Sequence, residues 1–170
     1  MITALKRGRP QETVPAGTTW TITQGGQWEV PATGQYQVEL HGGGGGGVYG
    51  NMYGASGGGS GQSYTTELEK GEVVNISIGL GGVRGAGGIS SFKDFAILGG
   101  GVGTVNGINQ GGAASGNLAT AGQTTYFSSV LGGLGNKNKP SQTYGNGGAA
   151  SGTGANMGQP GAAIITFLGA

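Results

Sequence analysis

The residues whose types could do acid–base or metal chemistry are few: one histidine, His41, and three close glutamates, Glu67, Glu69 and Glu72. A metal centre gathers three or four His, Cys or carboxylate ligands, and this chain of 170 residues has one histidine and no cysteine. A Ser–His nucleophile needs a buried base oriented beside a serine. His41 instead closes the alternating run "QYQVEL" and reads as a strand-end residue. The glutamates flank a turn at Glu69-Lys70-Gly71 and read as solvated. The expectation is a chain with no catalytic residue, no metal and no cofactor.

Two further motifs invite a chemical reading. "GLGGVRGAGG" has the look of a phosphate-cradling loop, but no Gly-Lys-Ser/Thr follows and no helix is in sight to lend its N-terminal dipole. "KRGRP", with Lys6, Arg7 and Arg9, matches the core of a minor-groove AT-hook. The formal net charge is only +1, and the next charge is Glu12, so no basic surface supports it. The three cations read better as an assembly arm docking on a neighbouring subunit, and no nucleic-acid partner is expected.

Binding chemistry lies with aromatics set among glycine: Tyr49, Tyr53, Tyr126, Phe127 and Tyr144. Tyrosine offers a large rigid surface with a polar tip, suited to recognising sugars or proteins from loops. The same rings could instead plug gaps between glycine segments. Tyr49, Tyr53 and Tyr144 have polar or glycine neighbours that favour exposure, and Asn51, Lys137, Asn138 and Lys139 join them as candidate receptor-binding residues.

The elements that must carry these residues are read from an unusual composition. Glycine supplies 44 residues, charged residues 9% and hydrophobic residues 35%. Disordered chains are rich in charge and poor in aromatics, whereas this one has 2 Trp, 6 Tyr and 4 Phe. It reads as folded around a small conventional core. All acidic residues lie at or before Asp94, and beyond it the only charges are Lys137 and Lys139.

The first half reads as short strands. "TTWTI" and "QWEV" flank Gly25-Gly26 as a hairpin, and "QYQVEL" places Tyr36, Val38 and Leu40 on one face. "SYTTELEKGEVVNISIGL" reads as a second hairpin, with Val74, Ile76, Ile78 and Leu80 inward. "SSFKDFAIL" supplies a further strand and "GAAIITFLGA" a closing one. The fold class is therefore all-β, a small jelly-roll-like β-sandwich with a glycine-rich insertion. Its parts are an N-terminal arm (1–17), the sandwich (18–98 plus 162–170) and a glycine-rich apical region (99–161). Glycine recurs at period three in Gly44, Gly47, Gly50 and in Gly79, Gly82, Gly85, Gly88. That spacing suits packed polyglycine II helices, three residues per turn, joined by backbone contacts.

The order "WEVPATGQYQVELHGGGGGG", "GQSYTTELEKGEVVNISIGLGG", "GGISSFKDFAILGGG", "GAAIITFLGA" resembles the glycine-rich domain at the distal ends of bacteriophage tail fibres and related adhesins. The resemblance runs from Thr18 to Ala170 and departs from the family in lacking a long N-terminal shaft. It implies a β-sandwich projecting glycine helices or loops, host-surface binding by the variable distal loops, and a place in homotrimeric fibres or as a cap on them. The implied partners are other virion proteins (fibre shaft, tail tip or capsid) and a host surface glycan or outer-surface protein. "MITALKRGRP" has no apolar run long enough for a signal peptide, and no later run is long enough to span a membrane, so the expected place is the virion. A capsid decoration or head-fibre protein is the alternative. An ice-binding protein would also use packed glycine helices, but the irregular segments carrying Lys137 and Tyr144 argue against it.

Overall fold

A computed structural model describes residues 13–49, 53–103, 111–126, 129–151 and 154–170. Two four-stranded antiparallel sheets form a β-sandwich, with no α-helix among the described residues. The strands are β1 (Thr19–Ile22), β2 (Gly26–Glu29), β3 (Gly34–His41), β4 (Val48–Tyr49), β5 (Tyr53–Ala55), β6 (Gln62–Leu68) and β7 (Val73–Ser77). They continue as β8 (Ser90–Phe92), β9 (Phe95–Ile97), β10 (Thr124–Tyr126), β11 (Ala150–Ser151), β12 (Gly154–Ala155) and β13 (Ala162–Gly169).

One sheet runs β1-β13-β3-β6 and the other β2-β7-β8-β9. Alternation in β3 buries Tyr36, Val38 and Leu40, while Gln35 and Gln37 face solvent. Against them the second sheet sets Val74, Ile76, Phe92 and Ile97, and β13 adds Ile165 and Phe167. Tyr36 sits at the aromatic centre, 5.0 Å from the Phe167 ring and 5.9 Å from Trp28, with its hydroxyl donating to the Ala32 carbonyl at 2.6 Å.

Both expected hairpins prove to be arches. β1 pairs with β13 and β2 with β7, so the chain crosses from one sheet to the other at Gly25-Gly26. The crossing makes Trp20 and Trp28 face each other from opposite sheets, with ring centroids 5.7 Å apart. The turn at Glu69–Glu72 does form, Glu72 N–H donating to the Glu69 carbonyl at 3.0 Å. It nevertheless links β6 of one sheet to β7 of the other. "SSFKDFAIL" is two strands joined at Lys93, which adopts φ 55 and reaches Glu72 at 2.7 Å.

Six glycines follow His41, and every one of residues 42–47 is buried although none has a side chain. Their N–H groups point outward with a repeat of three. Gly43 and Gly46 donate to Gly88 and Gly85, Gly44 and Gly47 to Gln159 and Asn156, and Gly45 to Gly58. Their carbonyls accept from Gly100 and Gly103, from Gly82 and from Gly148. Such radial bonding without internal hydrogen bonds defines a polyproline-II-type helix packed among parallel and antiparallel copies. Among glycines of these segments only Gly145 has positive φ, and negative φ with a repeat of three and no internal bond is the left-handed polyproline II conformation.

Ten such segments are described: g1 (42–47), g2 (56–61), g3 (79–82), g4 (85–88), g5 (99–103), g6 (111–115), g7 (118–122), g8 (130–135), g9 (145–149) and g10 (156–161). Helix g1 bonds to g2, g3, g4, g5, g9 and g10, and g2 bonds to g1, g5, g6, g7, g8 and g9. The six neighbours around each are bonded to one another in turn, which closes two fused hexagons. The result is a slab of three layers, g4-g5-g6, g3-g1-g2-g7 and g10-g9-g8.

The slab explains where glycine is compulsory. In g1 and at 57–59 of g2 a side chain meets backbone: a Cβ on Gly45 would land on the Gly101 carbonyl, and one on Gly59 on the Leu134 carbonyl. The buried Ser56 and Ser60 of g2 fit, with their hydroxyls donating to the Gln123 and Leu98 carbonyls. Outer helices have open directions and carry side chains there, as with Leu131 and Leu134 in g8 or Asn146 and Ala149 in g9. Leu80, expected inward, is 77% exposed for the same reason. The strand ends at Ser77, and the chain enters g3 with its period changed from two to three. The period-three run from Gly79 to Gly88 is likewise two antiparallel helices, reversed at Arg84 with φ 55. The glycine slab thus draws on 42–47, 56–61 and 79–88 as well as on g5 to g10.

Candidate functional site

Successive glycine helices alternate in direction. Helices g1, g3, g5, g7 and g9 run away from the sheets, and g2, g4, g6, g8 and g10 return. The described residues next to these reversals, 48–49, 53–55, 83–84, 123–126, 150–151 and 154–155, therefore gather at the end remote from the sandwich. Short strands tie some of them together. β4, β5 and β10 form one small sheet in the order β10-β5-β4, β11 pairs with β12, and these two strands pack on β4 and β5.

Tyr49 and Tyr53 lie in β4 and β5 of this cap, and Tyr126 is registered opposite Tyr53 in β10. Three tyrosines distant in sequence are thereby brought to one end. Asn51 and Phe127 lie outside the described residues, as do Lys6, Arg7 and Arg9 of the arm.

The other candidates lie elsewhere. Lys137, Asn138, Lys139 and Tyr144 belong to the connection 136–144 between g8 and g9, which is on the sandwich side of the slab. Lys139 Nζ sits 2.6 Å from Glu39 Oε1, and Asn136 Nδ2 donates to Glu39 Oε2 at 3.3 Å. Asn138 N–H donates to Asn136 Oδ1 at 3.0 Å, and the Lys137 N–H to the Leu118 carbonyl at 2.7 Å. The tyrosine end and the lysine end are separated by the length of a glycine helix, about 19 Å for six residues at ~3.1 Å each. They are two surfaces.

His41 is the buried hinge of the lysine end. Its exposure is 0%, its Nδ1 faces the Ser60 carbonyl at 3.3 Å, and Gln142 Nε2 donates to its Nε2 at 2.8 Å. The Tyr144 ring lies 6.5 Å away. Burial pushes the imidazole below its ordinary pKa, outweighing the backbone bond to Ser60 and the Glu39 carboxylate, which raise it. His41 thus acts as a neutral seam between the side-chain core and the glycine slab. Among the described residues no cluster of three or more His, Cys, Asp or Glu could hold a metal ion.

Arg84 is the residue that motif reading passed over. It stands at the reversal of g3 into g4 and is the one charged residue among the described residues of the remote end. Its signal was present: an arginine in "GGVRGAGG", where every neighbour is small, can only sit at a turn or an outward position. No family model and no curated protein matches the chain.

Proposed function

We propose that the chain is a bacteriophage virion protein, the host-recognising tip of a tail fibre or tail, which binds the cell surface reversibly and without chemistry. The observation that carries this reading is the convergence of β4, β5, β10, β11 and β12, with Tyr49, Tyr53 and Tyr126, on one end of a rigid slab. Binding residues on loops positioned by a stiff scaffold are a general solution to recognition. The scaffold here is stiff because each interior helix is held by backbone hydrogen bonds to six others.

Near-absence of charge at that end suits hydrogen bonding and aromatic contact with a host glycan or outer-surface protein, and such contacts are little screened by salt. The sandwich is then the mount. Its edge away from the slab, together with the segment before Thr18, is the part offered to other virion proteins in a homotrimeric or capping assembly.

The test is tag labelling of the chain on intact virions, combined with adsorption. Label at the fibre ends, and loss of adsorption in the Tyr49→Ala and Tyr53→Ala double variant, is the expected result. Label spread over the head overturns the tip reading in favour of capsid decoration.

A further inference from the structure

The outer face of g8, g9 and g10 carries a groove of about 540 Å³. We propose that it seats an extended, uncharged polyproline-II segment of a partner chain, rich in glycine or proline. Helix g9 forms its floor with Asn146 and Ala149, Leu131 and Leu134 of g8 form one wall, and Asn156 and Met157 of g10 form the other.

Three observations select this occupant. First, g9 has four helix neighbours, g1, g2, g8 and g10, where the interior helices have six. A further extended chain laid on it continues the interface that already holds the slab together. Second, the backbone on this face is unspent: among the described residues the Gly132 and Ala149 N–H groups and the Gly147 carbonyl take no hydrogen bond. One turn nearer the sheets, the equivalent N–H of Gly135 donates to Asn146 Oδ1 at 2.6 Å, a side-chain amide standing where a partner's carbonyl would stand. Third, the lining contains no charged residue and no aromatic ring, which disfavours an ionic ligand and a stacked sugar alike. The walls are nonetheless apolar, Leu131 being 70% and Met157 55% exposed. Burying them on a partner's proline rings or methylene groups removes apolar surface from water, which favours association.

A chain seated there bonds to the Gly132 and Ala149 N–H groups and the Gly147 carbonyl, the kind of main-chain bond that Gly43 and Gly46 make inside the slab. This is the polyproline-II counterpart of adding a strand to an open sheet edge.

The test uses the intact protein, ¹⁵N-labelled, titrated with a blocked (Pro-Gly-Gly)₄ peptide. The expected result is a saturable shift of the Gly132, Gly147 and Ala149 amides. Ala149→Leu, which fills the floor, should weaken binding at least tenfold, and Met157→Ala several-fold, with the unfolding midpoint of Met157→Ala unchanged. A blocked Glu/Lys peptide of the same length should shift nothing. No shift at millimolar peptide, shifts confined to the remote connections, or a neutral oligosaccharide moving the same amides when the peptide does not, each overturns the proposal.

Discussion

Lys139 Nζ and Glu39 Oε1, a hundred residues apart in sequence, lie 2.6 Å from each other where the 136–144 connection folds back on β3. The pair fastens the glycine slab to an inner strand of the β1-β13-β3-β6 sheet. Its lysine is half exposed, so the expected contribution is that of a surface ion pair reinforced by the Asn136 bond to the same carboxylate, about 0.5–1 kcal/mol. Lys139→Met should lower the urea midpoint by that amount at low salt, and the deficit should shrink in 1 M NaCl. A deficit that salt leaves unchanged would mean that the methylenes and not the charge do the fastening.

Glycine in the slab should be costly or harmless to replace according to position. Gly45→Ala drives a methyl group into the Gly101 carbonyl, with backbone on every side to resist it. The expected loss is at least ~3 kcal/mol, the upper range of overpacking. Gly85→Ala meets only the Val83 carbonyl at 3.9 Å, and should be neutral or stabilising by a few tenths of a kcal/mol, because alanine restricts the unfolded chain. Thermal unfolding of the two variants side by side checks the contrast.

His41 gives the fold an acid-sensitive point. Its native pKa is depressed by burial, so the unfolded chain binds the proton more readily. Stability should be full above the ordinary histidine value of 6.5 and should fall as the pH drops below it, until the native imidazole is protonated too. Urea unfolding at pH 8 and pH 5 should show a larger loss for the wild type than for His41→Asn. Equal losses would remove His41 as the cause.

The two candidate surfaces should separate in function. Tyr49→Ala with Tyr53→Ala should reduce host adsorption by an order of magnitude or more without moving the unfolding midpoint by more than a few degrees. Lys137→Ala with Asn138→Ala, at the sandwich side, should leave adsorption unchanged. Adsorption assays on reconstituted particles measure both, and the opposite ranking would place recognition at the wrong end of the slab.

The aromatic contact across the sandwich should report the arches. Trp28→Ala removes a ring packed on Trp20, Tyr36 and Phe92, and should cost about 3 kcal/mol. It should also abolish the coupled near-ultraviolet dichroism of Trp20 and Trp28.

What the sequence determined by itself was what local chemistry determines. Alternation of Tyr36, Val38 and Leu40 against glutamines permits only a half-buried strand, because side chains on a pleated strand point to opposite faces. Six consecutive glycines after His41 permit only backbone packing, because they offer nothing else to bury. Partners were another matter. A hairpin and an arch share the same turn residues, and whether β1 meets β2 or β13 depends on Trp20 and Trp28 closing one core from two sheets. Leu80 fits the strand's inward alternation until one knows that g3 has left the sheet. A polyproline-II helix has no hydrogen bonds of its own, so every bond that fixes it comes from a chain distant in sequence. Only the assembled lattice could decide which segments surround Gly42–Gly47, and which end of it Tyr49 and Lys139 would occupy.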